Sequence, residues 1–545
     1  MNQTSLTKTT DVYRTNMSAR LDPTRRSALG QFMTATPLAR FLASLFESTD
    51  GDICLLDPGA GVGSLTAAFV ERLCHQAGKP RSASLVCYEI EPLMIDYLQA
   101  TLRAADRQCA VARIEADTHV YEEDFILAHA GNGQTSMFEA GKGSDQQYSH
   151  VIMNPPYKKI SAASSHRAAL RQAGIEISNL YTGFMFLAAQ KLRPGGEMVA
   201  IIPRSFCNGL YFKPFRQQFL SMMALRHIHA FEARNSAFKD DDVLQENIII
   251  HAVKGAKPET VTITTSRAGD FEWDSADQQC IADDMTQRTV PYSAVVRTDD
   301  RDKFINIATN DLEQQIVERM SHFTETLAKL GLAISTGPVV DFRLKDDLRA
   351  MPEPGAVPLL YASHFRSGSL EWPKEMKKPN AIRVSDNSRR WLWPNTGHFV
   401  ITKRFTSKEE HRRIVASLYG SELPGELIGF ENHLNVFHEN QRGMPEALAR
   451  GLFIYLNSSL VDRYFRQFNG HTQVNATDLR AVRYPTREIL FRMGTEAGAT
   501  ALTQQHIDKI IEDELQHMTN GDNPLEGQQK GTSKNRKFGP FQRDG

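Results

Sequence analysis

The apolar run ICLLD at 53–57 breaks directly into Pro58-Gly59-Ala60-Gly61-Val62-Gly63 and then into a helix-forming stretch that begins near Ser64. Buried strand, glycine turn, helix is the order that opens a parallel α/β unit, with the turn at the carboxyl edge of the sheet. The alternation continues. SLVCYE at 84–89, HVIMN at 150–154, EMVAIIP at 197–203 and ENIIIHAV at 246–253 read as strands, and NLYTGFMFLAAQKL at 179–192 as a helix apolar over most of its surface. These patterns predict a doubly wound α/β domain over 21–300. A chain of 545 residues exceeds one core, and 301–490 mixes short strands, Trp/Pro turns and helices such as 445–468, which predicts a second, mixed α+β domain. Residues 1–20 read as a polar tail, 131–147 as a glycine-rich surface loop and 255–310 as a seam without clear periodicity. Residues 491–545 read as a helix followed by a disordered segment too polar to bury.

Composition excludes several classes. No apolar run reaches bilayer length, and the first twenty residues hold no apolar signal core, so a cytoplasmic protein is expected. Cys54, Cys74, Cys87, Cys109, Cys207 and Cys280 form no CxxC pair and no Cys/His cluster, which predicts neither a zinc site nor a disulfide framework. The net charge of −1 neither selects nor excludes a nucleic-acid partner, because local charge decides such contacts. Locally the chain is uneven: between Arg366 and Arg413 twelve basic residues face five acids.

The glycine turn is the first candidate site. A dinucleotide fingerprint needs a third glycine at position 64, which is Ser, and no GK[ST] follows. A nucleoside without a phosphate cradle, such as S-adenosylmethionine, suits the turn; another nucleotide or a purely structural turn is the alternative. Glu89, at the end of the next strand, can accept ribose hydroxyls, or else be a solvated strand-end acid. Asp124-Phe125 offers an acceptor for an adenine amino group and an apolar wall for its ring, against the alternative of a surface-helix acid.

The sharpest signal is Asn154-Pro155-Pro156-Tyr157 at the end of the predicted strand HVIMN. An exocyclic amine on a heteroaromatic ring is a poor nucleophile, since its lone pair is delocalised. A catalyst must accept both amino hydrogens and draw the nitrogen toward tetrahedral geometry. The Asn154 side-chain oxygen and the Pro155 carbonyl can be those acceptors, and the two prolines stiffen the segment. Tyr157 supplies a π-face for an extruded base.

With these motifs in this order, the chain resembles the gamma-type adenine-N6 methyltransferases of type II restriction–modification systems, the Eco57I-like modification methylases. The resemblance implies a Rossmann-like domain that uses S-adenosylmethionine, followed by a target recognition domain. It implies cofactor-binding roles for Thr36 and Pro37 in QFMTATPLARFLASLF (31–46), for Asp57, Pro58, Gly59, Ala60, Gly61 and Gly63, and for Glu89, Asp124 and Phe125. Phe238 falls where the family contacts the flipped base, though a core Phe fits as well. One departure is the interval from Gly63 to Glu89, longer than the usual ~20 residues. In the second half STGPVVDFR, TKRFTSKEEHRRIVA and FNGHTQVNATDLRAVRYP also resemble family sequence. Lys403, Arg404, Arg412 and Arg413 are the candidates for phosphate contacts, and Asn469, His471, Gln473 and Asn475 for base edges or phosphates. The implied partner is double-stranded DNA, whose site a separate cognate restriction endonuclease shares, and a monomer suffices to methylate one strand at a time. The alternative is an enzyme of the same chemistry that methylates a protein glutamine or an RNA amino group.

Overall fold

The computed structural model describes residues 5–20, 32–130, 147–232, 246–274, 279–297, 300–366, 369–406, 410–468, 473–498 and 502–519. They form two compact units, Met1–Val317 with Tyr464–Thr472, and Glu318–Arg463 with Gln473–Gly545.

The first unit carries β1 (Asp52–Pro58), β2 (Ser82–Tyr88), β3 (Glu115–Tyr121), β4 (Tyr148–Met153), β5 (Leu192–Pro203), β6 (Met223–Phe231), β7 (Asn247–Lys254), β8 (Thr260–Ser266), the short pair β9 (Glu272–Asp274) and β10 (Gln279–Ile281), and β11 (Thr286–Pro291). Nine of them form one sheet in the order β11-β8-β6-β7-β5-β4-β1-β2-β3. β1 through β5 pair in parallel, whereas β7 runs antiparallel between β5 and β6. From β1 the chain steps outward to β2 and β3, then returns to β4 on the other side of β1. That reversal is a topological switch point. The glycine turn after β1 and Asn154 after β4 both leave the sheet there, from adjacent strands. All six residues of β4 are buried, as expected of a central strand covered on both faces.

The interval between Gly63 and Glu89 is long because it holds the helix Ser64–His75, a connection and all of β2. Two expectations are corrected. Residues 6–20 are not a loose tail but a helix whose Leu6, Thr7, Thr10 and Met17 are buried. Its anchor is polar, since the Thr7 N–H and hydroxyl both donate to Glu71 at 3.0 Å, and a hydrophobic pattern does not register such an anchor. The region 255–310 is not merely a seam: β8 pairs in parallel with β6, and β11 antiparallel with β8, extending the main sheet.

The second unit contains a four-stranded sheet (Ala333–Thr336, Leu434–His438, Phe399–Lys403, Ala416–Tyr419) and a five-stranded sheet of short strands that includes Ala356–Leu360 and Leu427–Phe430. Helices follow. The stretch 445–468, read as one helix, is two, Glu446–Leu456 and Ser459–Phe468, because Ser458 caps the second by accepting from the Val461 N–H at 3.2 Å. From Tyr464 onward this second helix belongs to the first unit.

Candidate active site

β1 ends at Pro58 and turns through Gly59, Gly61 and Gly63 at φ of 78°, 58° and 85°, the left-handed region that a Cβ makes costly. The N–H groups of Gly59 and Ala60 both donate to the Tyr88 carbonyl at 2.9 Å, tying the turn to the end of β2. Glu89 ties it further. Its Oε2 accepts from the Gly61 N–H at 2.7 Å, and its Oε1 accepts from the Ile90 and Glu91 N–H groups at 2.8 Å. A carboxylate has about four acceptor positions, so one remains, on Oε2. That position is open to a ribose hydroxyl. Burial raises its pKa, against the pull of these three N–H donors.

Asp57 lies elsewhere than expected for a direct ligand contact. It is fully buried and takes the Thr66 hydroxyl on Oδ2 at 2.7 Å. Burial pushes its carboxyl up to about 7, with a further contribution from the charge of Glu89.

A cavity of about 390 Å³ opens at the switch point, and Gly59, Gly61, Glu89, Asp124, Phe125, Asn154 and Pro156 are among its walls. Phe125, Phe184, Leu180 and Ile90 make much of it apolar, with the acids Glu89 and Asp124 as acceptors. Such a site fits a nucleoside: a flat apolar slot with an acceptor for a ribose hydroxyl and another for an amino group. Asp124 Oδ1 accepts from the Leu127 N–H at 2.9 Å and Oδ2 from His166 Nε2 at 2.8 Å. Burial works to raise the Asp124 pKa, but these donors outweigh it and the carboxyl ends below its ordinary value.

Asn154 sits at the end of β4 with its amide locked. Nδ2 donates to the Phe32 carbonyl at 2.7 Å and to the Thr34 hydroxyl at 3.0 Å. A carbonyl can only accept, so this nitrogen and oxygen are not interchangeable. Among the described residues, Oδ1 is left buried without a hydrogen-bond partner. Native proteins rarely leave such an atom unsatisfied, and this one belongs to a residue that lines the cavity.

Other site predictions land differently. Thr36 and Pro37 start the helix Thr36–Ser44, and the Thr36 hydroxyl donates to the Thr7 carbonyl at 3.0 Å. From the same segment it is Phe32 and Met33 that reach the cavity, and Thr34 that holds Asn154. Tyr157 is turned into the core. Its hydroxyl donates to the Ile201 carbonyl at 3.0 Å, and its ring packs between Phe32 and Tyr181. The aromatic ring on the cavity wall beside Asn154 is Phe32. Sequence reading passed over Phe32 and Thr34 because their role exists only through a contact about 120 residues away.

Among the recognition candidates, Phe238, Asn469 and His471 lie outside the described residues. Lys403 ends the strand Phe399–Lys403, half-buried. Arg404 is engaged with the Asn432 carbonyl at 3.2 Å and with Gln473 Oε1 at 3.4 Å. Arg412 donates to Gln504 Oε1 at 2.7 Å and to the Ser458 carbonyl at 3.0 Å. Arg413 is 0% exposed, donating to the Thr406 carbonyl from its side chain and to Asp462 from its N–H, and a buried guanidinium cannot meet a phosphate. Asn475 caps the helix Ala476–Ala481 through a reciprocal bond with Asp478. The basic cluster thus serves the fold more than its charge suggests.

Residues 88–238 match the model of the family described as Eco57I restriction-modification methylase. The type II methyltransferase M.BsuBI of Bacillus subtilis is 44% identical over 496 residues, covering 90% of this chain and 94% of its own. The chain belongs to the type II methyltransferases of restriction–modification systems. M.PstI of Providencia stuartii, another of them, is 42% identical over 518 residues, 94% of this methyltransferase and 98% of its own chain. Among solved structures, the type IIL restriction-modification enzyme MmeI in complex with DNA aligns over 88% of this chain and 71% of that one, at 10% identity and a TM-score of 0.47.

Proposed function

We propose that this methyltransferase transfers a methyl group to the N6 of an adenine extruded from duplex DNA. The observation that carries the proposal is Asn154 Oδ1, buried and without a partner among the described residues, in a residue of the cavity wall. S-adenosylmethionine, when bound, supplies an electrophilic methyl group on its sulfonium. Glu89 Oε2 would hold a ribose hydroxyl, Phe125 and Ile90 would flank the adenine ring of the cofactor, and Asp124 would accept from its amino group. Asn154 Oδ1 accepts one amino hydrogen of the target base and the Pro155 carbonyl accepts the other, which localises the nitrogen lone pair for attack. Because Phe32 and Thr34 already hold Nδ2, Oδ1 is preorganised and needs no reorientation at the moment of reaction. Phe32 offers the apolar face against which the base rests.

Asn154 alone does not distinguish adenine from another planar amine or amide. Membership among the type II methyltransferases and a second unit of two sheets and helices favour DNA over a glutamine side chain or an RNA amine. We assign that second unit to target recognition, with unstacking of a few kcal/mol offset by phosphate and base contacts, and expect a separate endonuclease to read the same sequence. The test is Asn154→Ala, assayed for methyl transfer to duplex DNA and for S-adenosylmethionine binding by calorimetry. We expect kcat to fall at least ~100-fold with cofactor affinity nearly unchanged, and N6-methyladenine as the wild-type product. Equal loss of both properties, or wild-type product on any other atom, overturns the assignment.

A further inference from the structure

The first turn of the helix Ser165–Gln172 brings His166 to the wall of the cavity that Asp124 also lines. His166 Nε2 lies 2.8 Å from Asp124 Oδ2. A carboxylate below its ordinary pKa only accepts, so Nε2 carries the hydrogen. The other oxygen is held by the Leu127 N–H at 2.9 Å, at the start of the helix Phe125–Ala130. One carboxylate is thus gripped from two sides, by its own helix and by a side chain 42 residues further on.

Packing makes that grip reproducible. Leu170 and Ile126 are both fully buried and close over Gly183 of the helix Leu180–Lys191. A Cβ on Gly183 would lie 3.0 Å from Leu170 Cδ1 and 3.1 Å from Ile126 Cδ1, so any larger residue there would make those two side-chain tips shift by a few tenths of an ångström. The Ser164 hydroxyl accepts from the Arg167 N–H at 3.3 Å and fixes where the His166 helix begins.

We propose that His166 is a positioning residue for cofactor recognition: by holding Asp124 Oδ2 it orients the carboxylate whose remaining acceptor position takes the adenine amino group of S-adenosylmethionine. The inference rests on the reading of the cavity as a cofactor site. The electrostatics agree with it. The bond to Asp124 raises the His166 pKa, against burial and the repulsion of Lys158. Lys158, Lys159 and Glu123 line the same cavity, and the neighbouring Arg167 is engaged with Glu176. As pH rises through the elevated His166 pKa, the charged bond becomes a neutral one and its grip on Asp124 weakens.

The experiment measures S-adenosylmethionine binding by calorimetry from pH 6 to 9 for the wild type, His166→Ala and His166→Gln, alongside kcat at saturating cofactor and a thermal melt of each. We expect His166→Ala to raise Kd about tenfold, as loss of one charge-assisted hydrogen bond would, with kcat within about twofold of wild type on the scale of ordinary assay differences. His166→Gln should recover most of the affinity with a flattened pH profile. If the wild type binds and His166→Ala binds equally well, with an unaltered pH profile, the inference falls while the cofactor reading stands. A wild type that does not bind S-adenosylmethionine overturns both.

Discussion

Thr34 is 4% exposed and spends its hydroxyl oxygen on the Asn154 amide. Replacing it with Val keeps the shape and removes the acceptor, so one Nδ2 hydrogen is stranded and only the Phe32 carbonyl still holds the amide. For Thr34→Val we expect kcat to fall by about ten- to a hundredfold with cofactor affinity unchanged, and Thr34→Ser to restore it. Steady-state kinetics on duplex DNA decides between them. A second residue-scale expectation concerns Asp57, whose carboxyl stands at about 7 against 3.8 when unperturbed. Between those values the folded chain holds a proton that the unfolded chain has released, so folded stability declines as pH rises across that window. Asp57→Asn removes this titration. Its melting temperature relative to wild type should improve from pH 5 to pH 8, by an amount on the order of a few kcal/mol in stability, and a constant difference across that range would show that Asp57 does not titrate there.

Two helices of the second unit, Glu446–Leu456 and Arg487–Glu496, approach each other through glycine. A Cβ on Gly451 would lie 1.8 Å from the Leu490 carbonyl oxygen, and one on Gly494 1.8 Å from that of Ala447. Backbone cannot yield as a side-chain tip does, so Gly451→Ala must push the helices apart. The gain in helix propensity, about 1 kcal/mol, does not offset an overpacking cost of about 3 kcal/mol or more. Differential scanning calorimetry should show a lower transition for Gly451→Ala, while S-adenosylmethionine affinity, if it resides in the first unit as proposed, stays near wild type. Such glycines are invisible in sequence because their meaning lies in a partner about forty residues away. The same limit explains the other elements. β1, β4 and β5 announced themselves as apolar runs because both their faces are buried. β8, TVTITTS, buries Thr264, Thr265 and Ser266 beside Val261 and Ile263, and the edge strand β11, TQRTVP, is mostly exposed, so neither reads as an apolar run. The helix 6–20 was overlooked because its docking relies on Glu71, and no periodicity encodes an ion or a hydroxyl partner. Of the candidate site, the glycine turn, Glu89, Asp124 and Asn154 were legible because each has a local motif. Phe32, Thr34 and His166 were not, since each is defined by what it touches.

At the scale of the whole chain, charge counted along the sequence overstates what is available to a polyanion. Twelve basic residues crowd 366–413, yet Arg413 is buried and Arg412 is bonded to Gln504 and the Ser458 carbonyl. Lys374 pairs with Glu371, Lys378 with Asp341 and Arg383 with Asp347. These cations are already paired within the second unit, with Lys378 and Arg383 each half exposed. Arg389 and Arg390 differ, both exposed on one turn, with Arg390 also lying over the Trp391 ring at 5.1 Å. If the second unit carries the DNA, phosphate contacts should come from such exposed groups, and their signature is release of counterions rather than loss of sequence preference. Replacing Arg389 and Arg390 together with Gln should weaken DNA binding uniformly across target and non-target duplexes and make the dependence of log K on log salt shallower by roughly one to two. Arg413→Gln should instead lower the melting temperature, because it removes the bond to the Thr406 carbonyl. Fluorescence anisotropy from 50 to 300 mM salt separates the two. A salt slope that Arg389 and Arg390 leave unchanged would move the phosphate contacts to another face of the chain.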